Sequence, residues 1–285
     1  MSATAKLAAF AAALAVLFGG AALAGAAIGP EPDNEVASTD AQEHSDMNSS
    51  TEATHGEARP VRGLAVAEEG LRVIVADPEL RRGREQTLRF RIVNERGGTV
   101  TDFDVEHEKR MHLILARRDL TGFQHLHPEQ AADGTWTTRV RLTDAGSYRL
   151  FADFSHDDEA YTLASDLRVD GAADLRPLPA PQPTAVSDGG YDVQLDAGDA
   201  RPGKEADLRF TISKNGTPIK TEPYLGAGGH LVALRDGDMA FLHVHPADDS
   251  VRFAATFPTE GRYRLFLQFK HAGRVQTVAF TKEVR

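Results

Sequence analysis

The chemistry-bearing residues of this chain are histidines set in a repeated spacing. The stretches MHLILARRDLTGFQHLHP (111–128) and GHLVALRDGDMAFLHVHP (229–246) superpose without a gap. Each ends in His-x-His-Pro, with another His thirteen residues before the pair: His112 before His125 and His127, His230 before His243 and His245. A later His follows in each copy, His156 in RLFADFSH and His271 in RLFLQFKH, so eight of the eleven histidines belong to the repeat. Side chains alternate along a strand, so the two rings of His-x-His share a face and can grip one ion. The chain has no Cys, which leaves His, Met and carboxylates as ligands. Three or four imidazoles without thiolates suit Cu(II) or Zn(II), whereas Ca and Mg want oxygen. Copper is favoured over zinc if Met47 or Met111 takes part.

The elements that must position these rings are strands. From Arg62 the sequence runs in short alternating segments separated by turn signals: LRVIVA, QTLRFRIV, MHLILA, TWTTRVRL, SYRLFADF and YTLASDLRV. The second half repeats them as YDVQLDA, EADLRFTIS, GHLVALR, VRFAATF, RYRLFLQF and VQTVAFTKEV. This pattern predicts an all-β fold of two tandem immunoglobulin-like antiparallel sandwiches, over residues 62–171 and 188–285. LTDAGSYRL and FPTEGRYRL resemble the tyrosine corner of such sandwiches, with Tyr148 and Tyr263 near the start of strand F. Tyr148, Tyr263 and Trp136 are read as packing residues.

Within each copy the strand starting at His112 or His230 must turn and run back, carrying its first His towards the His-x-His pair. Strand F runs beside strand C in this topology, so its end is expected near the start of C. Tyr148, Leu150, Ala152, Phe154 and His156 share one parity, which would bring His156 to His112 and, in the second copy, His271 to His230. The expectation is one four-histidine pole per sandwich. His107, which aligns with Leu225, is a candidate extra ligand in the first copy only. Glu106, Glu108, Glu129 and Asp157 are read as solvated loop charge that could also orient imidazoles. The same residues allow a structural reading, in which Pro128 and Pro246 end strands and the rings bond backbone carbonyls.

The formal net charge is -10, but residues 30–60 hold eight Asp or Glu against Arg59 alone. The folded parts are therefore only mildly acidic, and no Lys/Arg clustering points to nucleic acid. Lys6 precedes an apolar run from Leu7 to Gly29, read as a signal peptide or a single-span membrane anchor within residues 1–29. Ala22-Leu23-Ala24 would serve a cleaved signal, while the length favours an anchor; either directs the chain outside the cytoplasm. Residues 30–61, poor in large apolar side chains, read as a disordered acidic linker carrying His44, Met47 and His55. The prolines of residues 172–187 make a stiff connector.

HEKRMHLILARRDLTGFQHLHPE resembles a motif of exported bacterial β-sandwich proteins, HEK-x-MHLI followed by HLHPE. With the apolar N-terminus and the second copy, nearly the whole chain looks like an actinobacterial exported or membrane-anchored tandem sandwich family. That family in turn resembles copper-handling periplasmic sandwiches of the CopC and YtkA kind. The resemblance implies an extracytoplasmic location, a copper or zinc ion as cofactor, and a protein partner for metal transfer. The amino-terminal His of the CopC kind is missing from either mature start. A cupin enzyme is disfavoured, because its motif sets Gly well before the His pair and Glu several residues after it. No catalytic triad, paired catalytic carboxylates or phosphate loop is visible, and the chain is expected not to be an enzyme. The rival to metal handling is a cell-surface interaction module with structural histidines.

Overall fold

The computed structural model describes residues 61–242, 244–247 and 250–285, with His245 described in its backbone alone. The signal or anchor segment, nearly all of the acidic linker, and His243 lie outside the described residues. No helix occurs among the described residues, so none there is long and apolar enough to cross a membrane.

The first half forms β1 (Ala67–Glu68), β2 (Leu71–Val75), β3 (Glu79–Leu80), β4 (Glu85–Asn94), β5 (His112–Arg117), β6 (Gln124–Leu126), β7 (Glu129–Gln130), β8 (Trp136–Arg141), β9 (Gly146–His156) and β10 (Glu159–Val169). They make two sheets, β1-β2-β4-β8-β7 and β3-β10-β9-β5-β6. The second half forms β11 (Thr184–Val186), β12 (Asp192–Asp196), β13 (Glu205–Lys214), β14 (Thr217–Pro218), β15 (His230–Arg235), β16 (Phe241–Leu242), β17 (His245–Pro246), β18 (Arg252–Thr256), β19 (Gly261–His271) and β20 (Arg274–Val284). Its sheets are β11-β12-β13-β18-β17, with β14 against β13, and β16-β15-β19-β20.

Alternation builds each core. Leu88, Phe90 and Ile92 of β4 and Trp136 and Val140 of β8 meet Leu113 and Leu115 of β5 and Tyr148, Leu150, Ala152 and Phe154 of β9. The second half buries the equivalent set, including Leu208, Phe210, Phe253, Leu231, Ala233, Tyr263, Leu265 and Phe269. A sheet pairing the first, second and fourth long strands (β2, β4, β8) over one pairing the third, fifth and sixth (β5, β9, β10) is the immunoglobulin-like arrangement. The corners are formed: Tyr148 Oη donates to the Asp144 carbonyl at 3.1 Å, and Tyr263 Oη to the Thr259 carbonyl at 2.9 Å.

β5 departs from alternation, for all six of its residues are buried. Leu113 and Leu115 face the first core, whereas Ile114 and Ala116 join a third cluster with Leu120, Phe151, Val232, Leu234, Phe241 and Phe266. The outer faces of the two β5- and β15-containing sheets therefore pack on each other. The contact is reciprocal. Phe123 stacks on Phe266 at 4.0 Å and 7°, while Phe151 packs against Phe241 at 5.6 Å. Phe123 and Phe241 are equivalent residues of the two repeats, as are Phe151 and Phe266, so the sandwiches meet like the halves of an isologous dimer. Burying each aromatic contributes on the order of 1.5–3 kcal/mol.

The chain enters this junction at residues 61–65. The Arg62 carbonyl accepts from Phe241 N at 3.0 Å, and Gly63 N donates to the Thr162 carbonyl at 3.1 Å. Gly63 has φ +71°, and a Cβ there would lie 2.7 Å from Phe241 Cβ, so only glycine fits.

Candidate metal centre

The centre is assembled by the β5–β6 hairpin. Its turn is held by the buried Arg117, which pairs with Asp119 at 2.6 Å, while Thr121 Oγ1 donates to the same carboxylate at 2.7 Å. Burial pushes the Asp119 carboxyl up, but the Arg117 guanidinium, the Arg176 N–H and the Thr121 hydroxyl outweigh it and hold the group at about 2. The hairpin register sets Ile114 opposite His125 and Leu113 opposite Leu126. Directly opposed residues share a face, so His125 lies on the face of His112 and Ile114, which is the outer one. A second tight turn, with His107 and Glu108 both at positive φ, brings the Glu106 carbonyl to His112.

One ligand nitrogen from each of His112, His125 and His127 lies within 4.8 Å of the others. His112 Nδ1 and His125 Nε2 are 3.0 Å apart. On its other side His112 Nε2 donates to the Glu106 carbonyl at 3.2 Å, and His125 Nδ1 faces Gln268 Oε1 at 2.7 Å. His127 Nε2 is buried and has no hydrogen-bond partner among the described residues. Burial is the chief cause that lowers the affinity of these rings for protons. It carries His125 to about 3, helped by His112 and His127, and His127 to about 4, helped by His112 and Lys109. His112 is lowered too, chiefly by burial and against the pull of Asp153 and the Glu106 carbonyl.

The second sandwich supplies the facing wall. His230 lies 4.6 Å from the His125 ring and stacks on His112 at 5.5 Å and 6°. Burial, then the neighbouring imidazoles, pushes His230 well below its ordinary value. His107 packs 6.2 Å from His112 and 6.0 Å from His230. His112 and His230 are equivalent residues, so they meet across the pseudo-twofold axis of the junction.

Among the described residues this replaces the expected pole per sandwich with a single junction. His156 does not join it. His112 is registered with Asp153, and His156 lies three residues further along β9, about 10 Å away at ~3.3 Å per residue. It also has the opposite parity, and its Nδ1 donates to the Asp102 carbonyl at 2.9 Å. His271 is displaced in the same way, with Nδ1 at 2.8 Å from the Tyr191 hydroxyl. His230 thus faces the first sandwich's histidines instead of His271. His243 and the His245 side chain are outside the described residues. Met111 is buried in the first core and is not a ligand of this cluster. Two residues were not singled out from the sequence: Asp153, registered with His112, and Gln268, registered with His230. The available signal was one polar residue in the apolar runs RLFADF and RLFLQF.

The sequence profile of a domain of unknown function, DUF8832, matches residues 65–171 and again residues 184–285. The chain belongs to the DUF8832 family. No curated protein has a significant sequence match to it. Among solved structures, FdeC, an Escherichia coli adhesin, is similar at 14% identity and TM-score 0.28, over 78% of this chain and 66% of that one. Salmonella alpha-2-macroglobulin reacted with methylamine follows at 12% and 0.28, over 80% of this chain and 15% of that one. The tandem Ig repeats of Dlar give 10% and 0.21, over 75% and 97%. At such TM-scores the immunoglobulin-like assignment rests on strand order and tyrosine corners. In this DUF8832 chain the junction offers three convergent imidazole nitrogens, which fit a borderline cation that accepts nitrogen ligands.

Proposed function

We propose that this DUF8832 protein binds a Cu(II) or Zn(II) ion outside the cytoplasm, between its two sandwiches, for buffering, delivery or tolerance. His112, His125 and His127 would hold the ion, with His230 as the facing imidazole. The observation that carries this reading is the unpartnered, buried His127 Nε2 beside two other ring nitrogens. An orphaned buried acceptor costs about 1–3 kcal/mol, which a coordinate bond would offset. The rings' low proton affinity supports it, since a ligand must be unprotonated. The export signal or anchor at residues 7–29 gives the location, a receiving protein would take the ion onward, and no catalytic role is assigned.

Calorimetric titration of the full chain with Cu(II) and with Zn(II) tests this. One ion per chain is expected, with a raised melting temperature. No binding in the micromolar range, and no thermal shift, would remove the metal reading. A specific observation favours a second one: a half-turn of the Gln268 amide lets His112, His125 and Gln268 close their hydrogen bonds without an ion. The protein would then be a non-enzymatic surface interaction module with structural histidines.

A further inference from the structure

His112 Nε2 faces a backbone carbonyl, which only accepts, so the proton of the neutral ring sits on Nε2 and Nδ1 carries a lone pair. That lone pair points at His125 Nε2, 3.0 Å away. Two tautomers of His125 are compatible with this contact. If Nε2 bears the hydrogen, it donates to His112 Nδ1, and His125 Nδ1 then needs a donor. If Nδ1 bears the hydrogen, it needs an acceptor, and the lone pair on Nε2 joins that of His112 with no proton between them.

The group facing His125 Nδ1 is the carboxamide of Gln268, buried on β19 of the other sandwich, at 2.7 Å. A carboxamide offers an acceptor and a donor from one end, exchanged by a half-turn of the amide. Its other atom faces Thr277 Oγ1 at 3.2 Å, a hydroxyl that can donate or accept and so serves both orientations. Gln268 is registered with His230 on one side and Thr277 on the other, which fixes its stem in the middle of the junction. The equivalent row of the first sandwich reads His112, Asp153, Thr162, with Thr162 Oγ1 donating to Asp153 at 2.7 Å. There a carboxylate, which only accepts, stands where the second sandwich has the two-way group.

We propose that Gln268 is a positioning residue for the centre: its carboxamide selects the tautomer of His125 and so decides whether Nε2 is offered to a metal ion. This rests on the metal reading of the cluster. In the structure the amide oxygen faces Nδ1 at 2.7 Å, so it accepts from Nδ1–H and leaves the Nε2 lone pair beside that of His112; without this acceptor the ring turns to its Nε2–H form, which closes onto His112. With an ion the amide still accepts from Nδ1–H, and Nε2 is free to coordinate. The proton moves from one ring nitrogen to the other through water, so this rearrangement neither takes up nor releases one.

The test uses the full chain labelled with ¹⁵N-histidine, with Zn(II) as a diamagnetic probe, in wild type, Gln268→Glu and Gln268→Met. The ring-nitrogen shifts of His125 report its tautomer, and calorimetry reports affinity. In the ion-free wild type the Nδ1–H form is expected, held by the Gln268 oxygen. Gln268→Glu, whose carboxylate also accepts, should keep the Nδ1–H form and bind Zn(II) at least as tightly as wild type. Gln268→Met should shift His125 to the Nε2–H form and weaken Zn(II) binding by roughly 10–100-fold with an unchanged backbone amide spectrum. An Nε2–H form in the ion-free wild type or in Gln268→Glu, or wild-type affinity in Gln268→Met, overturns the proposal. If Gln268→Met does not fold, Gln268→Glu decides alone. If wild type binds no Zn(II), the metal reading falls with the ion-holding role, while the ion-free tautomer change still decides whether Gln268 positions His125.

Discussion

His127 and His156 carry the same side chain in the same sandwich, yet their surroundings separate them. His156 has a carbonyl for its Nδ1, whereas His127 Nε2 is buried without a partner among the described residues. Replacing His127 with Leu should abolish Cu(II) and Zn(II) binding in calorimetry. The same change should raise the melting temperature of the ion-free protein, because it removes an unsatisfied buried nitrogen. His156→Ala should leave the affinity unchanged. Acid gives a second expectation. His125 and His127 titrate at about 3 and about 4 when folded, below the ordinary 6.5 of an exposed ring. Below 6.5 the unfolded chain takes up protons that the folded chain refuses, so stability is lost as pH falls from 6.5 towards 4. Above 6.5 both states are neutral and this slope vanishes. Denaturant unfolding of ion-free protein should show a loss of about 2 kcal/mol per ring by about pH 5, against no change from these rings between pH 7 and 8.

At the scale of the strand, period-two alternation states which residues share a face but not which face lies inside. For β9 the rule sufficed: Tyr148, Leu150, Ala152 and Phe154 form the core row that their spacing predicts. For β5 it did not, since a strand buried on both sides shows an unbroken apolar run and conceals its orientation. The neighbour relation of strands F and C predicts His112 beside His156, whereas His112 is registered with Asp153 and stands on the face opposite to that of His156. The tyrosine corners were legible because their signal is local, a Tyr four residues after the carbonyl it binds. Tyr148→Phe and Tyr263→Phe should each cost about 1 kcal/mol in chemical denaturation, the net contribution of one hydrogen bond, without altering metal affinity.

At the scale of the molecule, the duplication brings described histidines of both copies, His112, His125 and His127 with His230, to one junction. The reciprocal pairs Phe123–Phe266 and Phe151–Phe241 define its symmetry, with His112 against His230 on the axis. Double-mutant cycles check this arrangement. Phe123→Ala with Phe266→Ala should show a coupling of about 0.5–1.5 kcal/mol, since the rings stack on each other. Phe123→Ala with Phe241→Ala, equivalent residues in different pairs, should be close to additive.

The all-β class, the corner residues and the His-x-His pairs were legible in the residue order, because each depends on spacing within a few residues of one strand or turn, and the repeat was legible as two matching sets of such spacings. The tertiary structure alone decided that His112, His125 and His127 look outward from their sandwich, that His230 and Gln268 of the other sandwich meet them, and that His156 and His271 do not. The reason is physical. Which face of a doubly buried strand meets which neighbour depends on how two sheets dock, and docking is a sum of contacts between residues far apart in the chain.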